Sequence, residues 1–166
     1  MSLAFTLPDT AGNEVSLHED GARAAVVVFT CNHCPYALAW HDRIQQVARD
    51  YADRGVRVLQ INANDSEKYP RDSIEAMRAR VQAGEFASPY LHDADQSVAA
   101  AWGAKTTPDV FVTDASGVVY RGAPDADHGD PSLNAAWLRD ALEDVLAGRA
   151  VARAETKPVG CSIKWR

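Results

Sequence analysis

The segment Cys31-Asn32-His33-Cys34-Pro35 sets two thiols three positions apart, with an imidazole between them and a proline behind. It follows an apolar, β-branched run and opens an amphipathic helical pattern, so the two cysteines straddle a helix N-terminus. That placement brings their sulfurs within bonding reach. The free N–H groups and positive end of a helix favour thiolate over thiol. Thiolate is the attacking species in disulfide exchange, which predicts Cys31 as the reactive thiol. Cys34, one turn inside, is predicted to be more buried and to attack a mixed disulfide formed at Cys31. An imidazolium at His33 would further stabilise thiolate and make a Cys31–Cys34 disulfide more oxidising. A second unit, Thr106-Thr107-Pro108-Asp109, stands at the entrance of another apolar run, where proline is tolerated as an edge residue.

These groups need a scaffold, and the pattern supplies one. Val26-Val27-Val28-Phe29 suits a central strand covered on both faces. Tyr36, Trp40, Ile44, Val47 and Tyr51 recur at helical spacing, Pro35 suits the first turn, and Gly55 ends the helix. Val56 to Ile61 reads as a second strand. Asp72 with Glu75 reads as a capping box for a helix carrying Ile74, Met77 and Val81. A short helix spans 95–102, closed by Gly103. Val110-Phe111-Val112 and Val118-Val119-Tyr120 flank a hairpin turn at 114–117. A last helix carries Trp137, Leu138, Ala141, Leu142, Val145 and Leu146. The order β–α–β–α–(short α)–β–β–α predicts an α/β sandwich around one mixed sheet, because a βαβ start implies parallel strands. The residues around Asp9-Thr10-Ala11-Gly12 form a turn between two short extended pieces. Trp40, Trp102 and Trp137 are expected in the core. His18, His41 and His92 are expected at surface or satisfied positions.

Composition bounds the functions available. The 166 residues are 46% hydrophobic and 24% charged, an ordinary globular balance. The net charge of −6 gives no general attraction to phosphate backbones, so neither nucleic acid nor membrane is an expected partner. The longest purely apolar run, 24–29, falls far short of the ~20 residues a membrane span requires. A cytoplasmic location is expected, where paired cysteines are catalytic or metal-binding rather than structural. Three cysteines are too few for a disulfide scaffold.

Strand, CxxC, helix, then Thr-Pro before a strand, then a hairpin and a final helix, resembles the thioredoxin superfamily, and within it the redoxin branch (AhpC/TSA-like, peroxiredoxin-like proteins with a CxxC). The opening Phe5-Thr6-Leu7-Pro8-Asp9-Thr10-Ala11-Gly12 is similar to that of peroxiredoxins and thioredoxin-like oxidoreductases. The tail Gly160-Cys161-Ser162-Ile163-Lys164-Trp165 looks like that of bacterial peroxiredoxin-like proteins. The resemblance implies a thioredoxin-like fold with an N-terminal β-hairpin extension, a domain over 1–149 and a tail over 150–166 packed on it. It implies a thiol–disulfide oxidoreductase with Cys31 as nucleophile, Cys34 as resolving thiol and no cofactor. Pro108 would be the cis-proline facing the disulfide, and Thr107 would offer backbone hydrogen bonds to a bound partner. The partners implied are a protein or small-molecule disulfide or thiol and a reductant that the sequence does not name. Ala25 stands where thioredoxin carries its buried acid, which leaves the proton acceptor for Cys34 unidentified.

Two other alignments carry different chemistry. Peroxiredoxins place Thr three residues before a Cys-Pro pair. Cys34-Pro35 matches that pair, so Cys34 would attack peroxide and Cys31 or Cys161 would resolve it. A copper chaperone of this fold would use Cys31, Cys34 and a distant His128; its cysteines are spaced CxxxC, whereas these are CxxC, and His128 reads as part of a polar loop. Cys161 has three readings: a thiol packed as a small apolar residue, a third redox thiol docked at the CxxC, or a thiol pairing between chains. Its apolar neighbours Val159, Ile163 and Trp165 would anchor the tail, and the packed reading is the one taken.

Overall fold

The computed structural model describes residues 3–18 and 21–166. Seven consecutive residues of Ala24–Thr30 (β3) are buried, as a β-branched run covered on both faces must be. β3 is the middle of a five-stranded sheet. On one side it pairs in parallel with Val56–Asn62 (β4), which pairs in parallel with Tyr90–His92 (β5). On the other it pairs antiparallel with Asp109–Asp114 (β7), which forms the predicted hairpin with Gly117–Gly122 (β8). Outside this sheet, Thr6–Pro8 (β1) and Glu14–Ser16 (β2) make an N-terminal hairpin. A short ladder joins Thr106–Thr107 (β6) to Cys161–Ser162 (β9). The helices are Pro35–Tyr51 (α1), Ile74–Gln82 (α2), Ser97–Trp102 (α3) and Ala136–Leu146 (α4).

Alternation along the central strands divides the core into two layers. Val26, Val28, Val110 and Val112 pack with Trp40, Ile44 and Val47 of α1 and with Leu138 and Leu142 of α4. Val27, Phe29, Ile61 and Phe111 point the other way. They pack with Trp102 of α3, Phe5 and Leu7 of the hairpin, and Ile163 of the tail. The sheet thus holds α1 rigidly, and the first turn of α1 carries the CxxC.

Three elements differ from the sequence pattern. β5 is a three-residue edge strand, too short to show a period. Helix α2 is capped by Ser73, whose hydroxyl accepts from the Ala76 N–H at 3.1 Å, and not by Asp72. Asp72 sits in the preceding 3₁₀ turn, fully buried, with a different task described below. The tail contributes a strand, and its anchor is Ile163, 2% exposed; Trp165 is left exposed. Trp137 is only half-buried, with Arg153 over its ring.

Helix α1 is also held in place by one buried carboxylate. Asp125 accepts from Trp40 Nε1 at 2.8 Å and from the Ala135 N–H at 2.9 Å, and it holds Arg43 Nη1 through both oxygens at 3.0 and 2.9 Å. Arg43 also donates to the Asp127 and His128 carbonyls. Removing one partner of such a buried pair strands the other charge. Asp125→Ala is therefore expected to lower unfolding free energy by about 3–5 kcal/mol, read from urea denaturation.

Candidate active site

Cys31 follows the last residue of β3, and Cys34 is the residue that caps α1, with Pro35 in the first turn. Both sulfurs are buried, with Cys31 1% and Cys34 0% exposed. The structure holds them as free thiols. They converge on one residue. Cys31 Sγ lies 3.4 Å from the Thr107 hydroxyl, and Cys34 Sγ donates to the Thr107 carbonyl at 3.1 Å. The Thr107–Pro108 bond is cis, the geometry the resemblance implies. Cys31, Cys34 and Ala37 form a small apolar cluster of their own, with Tyr36 and Cys161 packed against it.

The two thiols titrate as a unit. Their sulfurs share one small buried cluster and interact with each other. That interaction is the largest cause lowering Cys34 below its ordinary value and the largest cause raising Cys31, whose burial adds to the rise. The first proton of the pair therefore leaves easily and the second with difficulty. Each sulfur has its own support for charge. Cys34 receives the Cys161 thiol and the Ala37 N–H at the helix start; Cys31 receives the Thr107 hydroxyl and the His33 N–H. The Thr107 carbonyl opposes charge on Cys34, because at 3.1 Å it must accept a proton and would repel a thiolate.

Beside Cys31 lies a residue the sequence reading assigned elsewhere. Asp72 Oδ1 accepts from the Asn32 N–H at 2.7 Å and from Asn62 Nδ2 at 3.0 Å. Its Oδ2 accepts from Asn64 Nδ2 at 3.0 Å and lies 2.7 Å from His33 Nδ1. The Asn62 and Asn64 amides, at and just past the end of β4, thus steady a carboxylate that in turn fixes both residues between the cysteines. Asn32 is held again by its side chain: Oδ1 accepts from Tyr90 and Arg80, and Nδ2 donates to the Arg71 carbonyl. The His33 ring stacks on Tyr69. The signal that could have revealed Asp72 is Asn62-Ala63-Asn64 directly after a strand, two amides with nothing apolar to do. Cys31, His33 and Asp72 present ligand atoms within 4.8 Å of one another. His128 belongs to a different place, with its ring against Tyr36 and Trp40. His41 is buried against the Glu85 carbonyl and lowered by that burial; His92 is half-buried and lowered likewise.

The tail has taken the edge expected to serve a partner. Thr107 lies opposite Cys161 in the β6–β9 ladder, so the backbone beside Pro108 is paired within the chain. This places Cys161 beside the dithiol, packed against its cluster.

A central mixed sheet, a dithiol at the start of α1 and a cis-proline facing it define a thioredoxin-like fold with a vicinal dithiol site. The model of the AhpC/TSA family matches residues 2–121, and the chain belongs to that family. It is 28% identical over 120 residues to the thiol:disulfide interchange protein DsbE of Allochromatium vinosum, a match spanning 69% of this chain and 60% of that protein's length. The crystal structure of a hypothetical protein from Sinorhizobium meliloti 1021 is 39% identical with a TM-score of 0.92, covering 98% of this chain and 91% of its own. A thioredoxin-like protein from Aeropyrum pernix, 19% identical with a TM-score of 0.62 over 88% of this chain and 89% of its own, shares the fold.

Two outcomes follow from the site. The negative charge of Asp72 raises Cys31, so Asp72→Asn is expected to move thiolate formation to lower pH, followed by ultraviolet thiolate absorbance. For stability the pair's first ionisation lies below the ordinary thiol value of 9.0. The unfolded chain then binds more protons than the native one over that interval, and stability of the reduced protein rises with pH up to about that value. Cys31→Ser and Cys34→Ser should each flatten this rise in urea midpoints measured under reductant.

Proposed function

We propose that this chain is a thiol–disulfide oxidoreductase working through Cys31 and Cys34. The observation that carries the reading is the convergence of both sulfurs on Thr107 at the cis-proline, one on its hydroxyl and one on its carbonyl. The kinship with a thiol:disulfide interchange protein supports it. Cys31, as thiolate beside the Thr107 hydroxyl, attacks a substrate disulfide and expels one substrate thiolate. The product is a mixed disulfide at Cys31. The one proton left on the singly ionised pair passes to Cys34, which donates it to the Thr107 carbonyl as Cys31 attacks. Cys34 then attacks Cys31 Sγ, releases the second substrate thiolate and leaves a Cys31–Cys34 disulfide. A partner dithiol reverses the sequence. The His33–Asp72 contact holds the imidazole beside the attacking sulfur, where it tunes the stability of the thiolate. We propose a protein or low-molecular-weight thiol or disulfide as substrate, a separate reductant, and the cytoplasm as location, since a reducing compartment keeps such thiols free.

The expected result of trapping is asymmetric. Cys34→Ser should accumulate a mixed disulfide through Cys31 with a model disulfide substrate, and Cys31→Ser should lose reductase turnover. Mixed disulfides that form only through Cys34, mapped by mass spectrometry, would overturn the assignment.

A second reading is peroxide reduction at Cys34, which caps α1 and is lowered chiefly by the neighbouring Cys31. Cys34 thiolate would take one oxygen from a hydroperoxide, releasing alcohol or water, and a neighbouring thiol would condense with the sulfenate to a disulfide and water. Single-turnover peroxide consumption that survives in Cys31→Ser and vanishes in Cys34→Ser would support it; equal loss in neither would exclude it.

A further inference from the structure

The third thiol is brought to the first two by contacts spread along the tail. Thr156 docks first: its N–H donates to the Arg121 carbonyl at 2.9 Å and its hydroxyl accepts from the Ala123 N–H at 2.9 Å. Gly160 comes next. A Cβ there would collide with the Thr107 carbonyl and crowd the Pro108 nitrogen, so the tail reaches this depth only because position 160 has no side chain. Beyond the ladder, the Ile163 N–H donates to the Lys105 carbonyl at 3.0 Å, and Ile163 enters the core. The Lys164 N–H donates to Asn64 Oδ1 at 2.9 Å, and its carbonyl accepts from Gln96 Nε2 at 2.8 Å and the Asp65 N–H at 2.7 Å. Asn64 is the same residue that donates to Asp72, so the tail is tied to the site's own frame. Cys161 therefore stands fixed opposite Thr107, half-buried and packed against the Cys31–Cys34 cluster. It also lies outside the residues matched by the family model.

We propose that Cys161 is the third member of an internal thiol relay, in which the disulfide moves from Cys31–Cys34 to Cys34–Cys161. The relay rests on the oxidoreductase reading, because the first disulfide is the product of that exchange. The step is isoelectronic. Cys161 thiolate attacks Cys34 Sγ in line with Cys31, the Cys34–Cys161 bond forms, the Cys31–Cys34 bond breaks, and Cys31 leaves as thiolate. The proton given up by Cys161 is balanced by the one Cys31 takes up. The oxidised chain then stores its two oxidising equivalents at the tail while Cys31 is free again. Cys34 Sγ is the atom common to both disulfides, and Cys31 and Cys161 both pack in its cluster. Burial and the bond to Cys34 raise Cys161, to about 11, in the reduced state, where it acts as a donor; once Cys34 is in a disulfide the second cause is gone.

The test uses full-length Cys31→Ser, which keeps Cys34 and Cys161, treated with diamide as the oxidant. The expected result is loss of both thiols and one intrachain Cys34–Cys161 link by peptide mapping. Formation should be about tenfold faster than any Cys31–Cys161 link in Cys34→Ser. Adding Gly160→Ala to Cys31→Ser should slow it by about tenfold, because the tail is pushed off Thr107. As a readout free of any variant, mapping of the oxidised wild type should show Cys34–Cys161 together with Cys31–Cys34. If the wild type forms Cys31–Cys34 alone and Cys31→Ser keeps both thiols or links only between chains, the relay is overturned and the oxidoreductase reading stands. If the wild type forms no Cys31–Cys34 disulfide, the oxidoreductase reading falls and the relay with it.

Discussion

A carboxylate with no access to water must be surrounded by donors, and the position of Asp72 follows from that requirement. Its donors come from two stretches well apart in the chain, the Asn32 N–H after β3 and the Asn62 and Asn64 amides around the end of β4, and they meet it at the 3₁₀ turn that carries it. Parallel pairing of β3 and β4 puts Thr30 opposite Asn62, so both strands end at the same level and deliver their donors together. The loop between the two cysteines is held from below by this one group. Remove the carboxylate and three amides lose an acceptor at once, and the His33 ring loses its neighbour. The site is thus preorganised by satisfied polar groups under it, while the apolar layers do the work of fixing the helix beside it.

The other organising residue is Thr107. Its hydroxyl faces one sulfur, its carbonyl accepts from the other, and its backbone pairs with the tail. An extended peptide cannot add to that edge while β9 occupies it. The chain has in effect placed a thiol of its own where a thiol-bearing strand from outside would sit.

The scaffold was open to inspection in the sequence because its signals are long and local. Val26 to Phe29, the stripe Trp40–Ile44–Val47–Tyr51 and the turn at Asp114-Ala115-Ser116-Gly117 each carry their meaning within a few residues, and the CxxC takes its meaning from standing between two of them. The missing parts depend on distance in the chain. Asp72 three residues before Glu75 fits a capping box as well as any true cap; only the fold shows that its acceptors face Asn32 and Asn62, while Ser73 does the capping. A two-residue strand such as Cys161–Ser162 has no period to read, and its partner lies across the molecule. Ile163 rather than Trp165 anchors the tail because the space beside Phe29 and Phe111 admits a branched aliphatic chain, and the larger indole remains at the surface.

Burial of both sulfurs has a kinetic meaning. At 1% and 0% exposure, neither Cys31 nor Cys34 can be met by a bulky reagent in the closed molecule. For such a reagent collision yields nothing unless the site opens locally, and the rate is then the chemical rate multiplied by the fraction of time spent open. Bulky oxidants are turned away on the same terms as bulky substrates. A partner that stabilises the open form gains on both, so discrimination resides in the opening equilibrium as much as in the nucleophilicity of the sulfur.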